Sequence, residues 1–180
     1  MDSVATDPAP RGLRLLAHRI LPPTWRRFIK FGVVGGSGVF VNVGAAALVE
    51  RVILADVAPV SAPVIGHFDP AASIGMIVGI LVSIFTNFII NDRWTWGDRD
   101  KGDGRGAWVR RCRDFYVTNG LAAGLQFAVS SIARRVHLFS FTLFGFEVGT
   151  FEPELAILLG IAIATPINFL VNHYWTFRER

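Results

Sequence analysis

Two copies of one ten-residue motif end two apolar segments of this chain. The first copy is NFIINDRWTW, from Asn87 to Trp96, and the second is NFLVNHYWTF, from Asn168 to Phe177. Each reads Asn, Phe, two aliphatic residues, Asn, two variable residues, Trp, Thr and an aromatic residue. Two apolar segments that end in the same way indicate an internal repeat, which in a membrane protein often frames a shared site.

Apolar residues are gathered into long uncharged windows. The 180-residue chain is 52% hydrophobic and 18% charged, its mean hydropathy is +0.44, and soluble domains are about 25% charged. Four windows contain no charged residue: 31–49, 71–91, 115–133 and 155–172. Since a helix needs about 20 residues to cross the hydrocarbon core and satisfies its own backbone in lipid, the sequence predicts an all-α membrane protein with four transmembrane helices.

Lysine and arginine are distributed unevenly between the segments that flank these windows. Residues 1–30 carry six, the connection 92–114 carries seven and the C-terminal tail carries two, whereas the connections 50–70 and 134–154 carry one and two. Because positive segments stay in the cytoplasm, both termini and the middle connection are predicted to be cytoplasmic. Such flanks favour anionic membrane lipid, and they explain a pI near 10.0 without nucleic acid as a partner.

The segments upstream of the motifs also align with each other. RRFIKFGVVGGSGVFVNVGAAALVERV, which begins at Arg26, matches RRCRDFYVTNGLAAGLQFAVSSIARRV, which begins at Arg110, at an offset of 84, and the following helices match at an offset of 81. Chance likeness between apolar helices is the alternative, and the motif at matching positions argues against it. The chain is therefore predicted to hold two two-helix repeats, 26–96 and 110–177, which are parallel because each crosses an even number of times.

Small residues recur every fourth position along the second and fourth windows and lead into the asparagines of the motifs. The two series are Ala71, Gly75, Gly79, Ser83, Asn87, Asn91 and Ala156, Gly160, Ala164, Asn168, Asn172. Such spacing lets helices approach closely in lipid, and glycines predict the same for the other two windows: Gly32, Gly36, Gly120 and Gly124. The asparagines are thus predicted on a packed face, where a buried amide needs a partner. Two roles stay open: hydrogen bonds between helices, or a polar cleft that binds a head group.

Further polar residues lie in the other two windows and at the predicted cytoplasmic mouth. Asn42 and Gln126 occupy equivalent positions and are predicted either to bond each other or to line one path. Lys30 and Arg93 flank the mouth, where they would bind phosphate, and anchoring by positive charge is the alternative. The predicted substrate-binding residues are Asn87, Asn91, Arg93, Asn168, Asn172, Lys30, Asn42 and Gln126.

The aromatic residues of the motifs and the last connection carry two further predictions. Trp94, Trp96, Trp175 and Phe177 are predicted to form an aromatic belt at the membrane interface. The connection 137–154 alternates Phe with small or polar residues, which predicts a hairpin or an interfacial segment on the outer side.

The sequence contains no pattern typical of catalysis or of metal binding. No carboxylate lies inside a window, and proton coupling usually needs an ionisable group at depth, which disfavours a small multidrug exporter. His173 stands alone, and the sequence has no Cys/His cluster, Ser/His/Asp arrangement or P-loop. The chain is predicted not to be an enzyme and to bind no metal or cofactor.

The sequence resembles the GtrA-like family of small bacterial membrane proteins. The resemblance rests on RFIKFGVVGGSGVFVN, which begins at Arg27, and on NF..N..WT in both motifs, and it covers roughly residues 26–177. The chain then divides into a cytoplasmic leader, 1–25, and a transmembrane domain, 26–180, whose repeats are joined by a basic loop, 97–109.

The resemblance implies a four-helix protein of the bacterial inner membrane that flips a polyprenyl-phosphate-linked sugar for polysaccharide synthesis or glycosylation. The alternative is an adaptor that recruits a membrane glycosyltransferase without transporting, with the asparagines as packing residues and the basic segment 97–113 as the docking surface. Similarity in size to small drug transporters suggests a homodimer.

The family motif falls on Asn87, Asn91, Arg93, Trp94, Asn168, Asn172 and Trp175. Tyr174 stands where many relatives carry a base, so only one motif of this chain supplies a cation there.

Overall fold

Four long helices dominate the computed structural model, which describes residues 22–62, 66–144 and 146–179. The helices are α1 (Pro23–Leu48), α2 (Pro70–Ile90), α3 (Arg105–Arg135) and α4 (Glu152–Val171). Proline stands in the first turn of α1, α2 and α4, where its missing N–H needs no partner. Asp69 caps α2 by accepting a hydrogen bond of 3.0 Å from the backbone N–H of Ala72. The predicted leader lies mostly outside the described residues.

Both motifs end in a π-helical turn. These turns, Asn91–Thr95 and Asn172–Thr176, continue α2 and α4 without a break. The backbone N–H of Trp96 donates to the carbonyl of Asn91 at 3.0 Å, and that of Phe177 donates to Asn172 at 2.9 Å. The wider turn re-aims the side chains that follow it, and such turns occur often at functional sites. A third π turn, Val49–Ile53, follows α1.

Three of the four helical segments are long and apolar enough to cross a membrane. They are Pro23–Ile53, Pro70–Thr95 and Val148–Thr176. The fourth predicted span is present as a helix, but α3 begins ten residues before the predicted window. Its middle carries polar residues such as Asn119 and Gln126, which lower its hydropathy. That α3 crosses the membrane, and the predicted topology, therefore stay predictions.

The helices pack as two hairpins, α1 on α2 and α3 on α4. The predicted ridges are buried: Ala71, Gly75, Gly79 and Ser83 on α2, and Ala156, Gly160 and Ala164 on α4. A Cβ on Gly79 would lie 2.6 Å from the carbonyl oxygen of Asn42, and one on Gly160 would lie 2.7 Å from that of Gln126. These four residues occupy equivalent positions in the sequence alignment, so the two hairpins pack through the same contact.

Four glycines of α1 and α3 that were predicted to tighten the bundle do not do so. A Cβ on Gly32, Gly36, Gly120 or Gly124 would meet no atom within 4 Å. These positions face outward because the close approach in each hairpin uses the glycines of α2 and α4 instead.

An aromatic core lies at the end of the bundle that contains both motifs, called the motif end below. It consists of three equivalent pairs: Phe31 and Phe115, Phe88 and Phe169, Trp96 and Phe177. The last pair stacks with ring centroids 4.2 Å apart and planes at 11°, and both side chains are fully buried. Their predicted place in an interfacial belt is therefore wrong, because the π turns aim them between the hairpins. Trp94 and Trp175 are exposed, and their place in a belt stays a prediction.

Two small β-hairpins lie at the opposite end, called the hairpin end below. In the first, β1 (Val60–Ala62) pairs antiparallel with β2 (Gly66–Phe68), and in the second, β3 (Thr142–Leu143) pairs antiparallel with β4 (Phe146–Glu147). A 3₁₀ turn, Val148–Phe151, leads from β4 into α4. The hairpin predicted within 137–154 is confirmed, and the all-α prediction needs these four short strands as an addition.

Candidate functional site

A polar cleft lies where α2, α3 and α4 meet, beside the motif end. Its cavity has a volume of about 260 Å³. The polar side chains that line it are Ser83, Asn87, Asn119, Gln126, Thr165 and Asn168. Amides and hydroxyls both donate and accept hydrogen bonds. The lining therefore suits a ligand rich in hydroxyl groups.

Asn87 lines this cleft and carries an unused acceptor. Its side chain packs on Gly38, where a Cβ would lie within 2.9 Å of the amide carbon. Its Oδ1 is buried, and no donor reaches it within the part of the chain that the structure describes. A buried polar atom without a partner costs about 1–3 kcal/mol, so a ligand that donates to Asn87 would gain from its presence.

Asn168 is already engaged in a network of amides. Its Nδ2 donates to Oδ1 of Asn119 at 3.3 Å, and its Oδ1 accepts from Nδ2 of Asn172 at 2.8 Å. Thr118 donates to Oδ1 of Asn172 at 3.1 Å, and Asn119 donates to the carbonyl of Phe115 at 2.8 Å. The two motifs therefore contribute to the cleft unequally, one with a free acceptor and one with a closed network.

Asn91 and Asn172 have a packing role. Both are fully buried, and neither lines the cleft. Oδ1 of Asn91 accepts from the Thr95 hydroxyl at 2.7 Å, inside its own π turn. Of the four motif asparagines predicted to bind substrate, the structure thus brings only Asn87 and Asn168 into the cleft.

The predicted path through Asn42 and Gln126 divides in the same way. Gln126 lines the cleft, whereas Asn42 lies between α1 and α2 against Gly79. Within the described residues no hydrogen bond joins them, so the predicted contact across the repeats is not present.

A basic pocket of about 300 Å³ opens at the motif end of the first repeat. Four cationic side chains and one carboxylate line it: Arg26, Arg27, Lys30, Arg93 and Asp98. Lys30 donates to the carbonyl of Trp94 at 3.2 Å and lies 5.3 Å from the centre of its ring, which leaves further ammonium protons for a ligand. Arg93 is exposed and forms no ion pair among the described residues, so its guanidinium is available for an anion.

The carboxylate of Asp98 offsets part of the positive charge of this pocket. It pairs with Arg27 at 2.6 Å. Partial burial acts to raise the pKa of Asp98, but the hydrogen bond and the charge of Arg27 outweigh it, so the pKa lies below its ordinary value. The carboxylate is therefore ionised at neutral pH, and the pocket keeps an excess of positive charge.

Two cationic positions of this pocket carry other residues in the second repeat. Its counterparts of Lys30 and Arg93 are Asp114 and Tyr174. Asp114 is buried and accepts from Arg113 at 2.7 Å. The cations at these two positions of the first repeat are therefore not repeated in the second.

The basic loop between the repeats turns much of its charge inward. Lys101 and Arg111 contact the carboxylate of Asp92 at 3.1 and 2.9 Å. Arg99 donates to the carbonyls of His173 and Phe177 at 2.6 and 2.9 Å. Burial lowers the pKa of Arg99 from its ordinary value. This loop therefore ties the two π turns together, a role that the count of positive charges could not reveal.

Sequence reasoning missed Asn119 in the cleft and Arg26 and Arg27 in the pocket. A signal for Asn119 was present, because it precedes Gln126 by seven residues and therefore lies on the same face of α3. No comparable signal separates Arg26 and Arg27 from ordinary flanking charges. Within the described residues, no three His, Cys, Asp or Glu side chains group as a metal site would require.

Paired helical hairpins, apolar segments long enough to span a bilayer and an embedded polar cleft define a small helical membrane protein. The sequence matches the family described as GtrA/DPMS, transmembrane domain, over residues 30–177. The chain therefore belongs to this family, as its motifs predicted. A comparison with curated protein sequences gives no match. Membership indicates a part in polyprenyl-phosphate sugar translocation or a related membrane function.

Proposed function

We propose that this protein flips a polyprenyl-phosphate-linked sugar across the bacterial inner membrane for cell-envelope polysaccharide synthesis or glycosylation. In this proposal all four helices cross the membrane, the repeats are parallel, and the motif end and both termini face the cytoplasm. The observation that carries it is the polar cleft beside the motif end, in which Asn87 offers a buried acceptor without a partner.

The basic pocket and the cleft divide the recognition of such a substrate between them. Lys30 and Arg93 bind the phosphate at the cytoplasmic face, with the bidentate geometry that arginine offers. Asn87, Asn119, Gln126 and Asn168 exchange hydrogen bonds with sugar hydroxyls. The apolar tail stays in lipid, because the surface of the helices is covered with exposed aliphatic side chains.

Movement of the two hairpins relative to each other would open this path. Packing is much denser within each hairpin than between them. In this proposal each hairpin therefore moves as a rigid unit, and the motion occurs at the interface between the two hairpins. The aromatic core at the motif end, centred on Trp96 and Phe177, serves as the hinge contact.

The proposal assigns no chemical step to this chain, which acts as a carrier and not as an enzyme. A membrane glycosyltransferase supplies the lipid-linked sugar, and anionic lipid contacts the basic flanks. The homodimer stays a prediction.

The second candidate function is a non-transporting adaptor for that glycosyltransferase. The closed amide network of Thr118, Asn119, Asn168 and Asn172 favours it, since these side chains already satisfy each other. The loop argues against it, because Arg99, Lys101 and Arg111 are turned into the protein. This leaves fewer cations for docking than the sequence suggested.

Flipping of a labelled polyprenyl-phosphate sugar by the purified protein in proteoliposomes tests the proposal. Asn87→Ala and Gln126→Leu remove cleft groups that hold no hydrogen bond in the described structure, so both variants are expected to fold. We expect each variant to slow flipping roughly tenfold, because each loses one hydrogen bond between the cleft and the sugar. Ser37→Ala is the matched control, because its hydroxyl bonds only the Val34 carbonyl of its own helix. Absence of flipping by wild type, with retained binding of the glycosyltransferase, would establish the adaptor.

A further inference from the structure

The cleft is the first of three cavities that follow one another along α3. The second cavity, of about 340 Å³, shares Ala123 and Gln126 with the cleft and continues past Ser130 to Arg134. The third, of about 580 Å³, shares Ser131 and Arg134 with the second. A groove thus follows α3 from the cleft to the hairpin end of the molecule, with polar groups at both ends and a more apolar middle where Phe127 and Ile157 line it.

The far end of this groove carries positive charge. Arg134 and Arg135 line the third cavity together with His137 and Glu152. Both arginines are exposed, and neither forms an ion pair among the described residues. Glu152 places a carboxylate in the same lining: its Oε2 accepts from Ser140 at 3.1 Å, and its Oε1, 3.5 Å from Nδ1 of His137, is buried without a hydrogen bond among the described residues. The two guanidinium groups are therefore available to an anion.

The charge at the position of Arg134 differs between the repeats, whereas Arg135 has a cationic counterpart, Arg51. The counterpart of Arg134 in the first repeat is Glu50, at the same end of the bundle. The basic pocket at the motif end lies in the first repeat, and the basic cavity at the hairpin end lies in the second. The bundle therefore has a cationic site at each end, and the two sites lie in opposite repeats.

We propose that the cavity lined by Arg134 and Arg135 is a second anion site, which binds the phosphate of an isoprenoid lipid at the hairpin end. Each of the two arginines can bind a phosphate group through paired N–H donors. Arg134 also lines the second cavity, so it lies where the second and third cavities meet. The inference rests on the proposed function only for the chemistry of the lipid. Binding at this site needs no transport, so the two proposals can fail separately.

Hydrogen exchange of the full-length protein in phosphatidylcholine nanodiscs tests the site. The probe is citronellyl phosphate, a short isoprenyl phosphate, and the readout is the exchange rate of amides 131–144. We expect the probe to slow their exchange in wild type. In Arg134→Gln/Arg135→Gln the concentration needed should rise at least about tenfold, as expected for lost charge-assisted bonds. The exposed side chains make this variant compatible with folding.

Arg51→Gln is the matched control, because Arg51 is an exposed cation at the same end in the first repeat. It should respond to the probe as wild type does. Inorganic phosphate and phosphatidylglycerol form two further arms. Slowing by citronellyl phosphate alone assigns the site to an isoprenyl phosphate, and equal slowing by inorganic phosphate assigns it to phosphate from any source. Absence of slowing with every probe, slowing by phosphatidylglycerol alone, or an unchanged response of the double variant would overturn the proposal.

Discussion

The two copies of the motif share their packing residues and differ in their charged ones. In both copies, Phe and the final aromatic residue enter one core, and the second Asn begins a π turn. Between them, Arg93 of the first copy corresponds to Tyr174 of the second, and Arg93 lines an exposed basic pocket. The comparison teaches that the residues common to both repeats form the packing of the bundle, whereas the residues that differ between the repeats form the cationic sites.

The most damaging change should be the loss of a repeated core residue. Trp96→Ala removes a fully buried ring that stacks on Phe177, and we expect it to lower the free energy of unfolding by about 3–5 kcal/mol. Unfolding in bicelles with increasing SDS measures this. Trp94→Ala, two residues away and exposed, should cost about 1 kcal/mol or less. Equal losses would show that the motif tryptophans are equivalent and that the buried core is misplaced.

The next effect concerns the close contact that both hairpins share. Gly79→Ala and Gly160→Ala each place a methyl group against the backbone of the facing helix, which should cost about 1–3 kcal/mol. Gly36→Ala, where a Cβ meets no atom within 4 Å, is the control and should be neutral or slightly stabilising. The same SDS titration compares them, and a large loss for Gly36→Ala alone would contradict the packing described.

A smaller effect should separate the two buried asparagines. Asn172 bonds Thr118 and both oxygens of Asn168, whereas Asn91 bonds Thr95. We expect Asn172→Ala to cost about 2 kcal/mol and Asn91→Ala about 1 kcal/mol. Equal costs would indicate that the amide network of the second repeat adds nothing beyond the π turn.

The smallest effect concerns the ion pair between Arg27 and Asp98. Because the pKa of Asp98 lies below its ordinary value, the pair adds stability above the unfolded pKa of about 3.9, and this stability disappears as the pH falls through the folded pKa. The side chain of Asp98 is 66% exposed, so solvent screening limits the contribution to about 0.5 kcal/mol. Asp98→Asn should flatten the stability profile between about pH 5 and pH 3 by that amount. A steeper profile in the variant would contradict the assignment.

Much of the fold could be predicted from local pattern, because the uncharged windows and small-residue ridges follow from lipid and close packing. Trp96 and Phe177 could not, since an aromatic residue at a helix end suits a belt or a core, and the π turn decides between them. The inward orientation of Arg99 and Lys101 depends on the path of a loop, which carries no periodic signal, and Arg111 of α3 packs against that loop. In the cleft, residue type identified Asn87 and Asn168, but only packing separates the free acceptor from the satisfied one.

The proposed function depends most on the cationic pocket of the first repeat, which we propose binds the phosphate while the cleft binds the sugar. The most direct measurement compares flipping rates of a labelled polyprenyl-phosphate sugar for Lys30→Gln/Arg93→Gln and for the control Arg105→Gln/Arg178→Gln, which loses equal charge from exposed positions near the motif end. The account predicts a rate at least about tenfold lower for the first variant and an unchanged rate for the control. Equal rates for the two variants would contradict it.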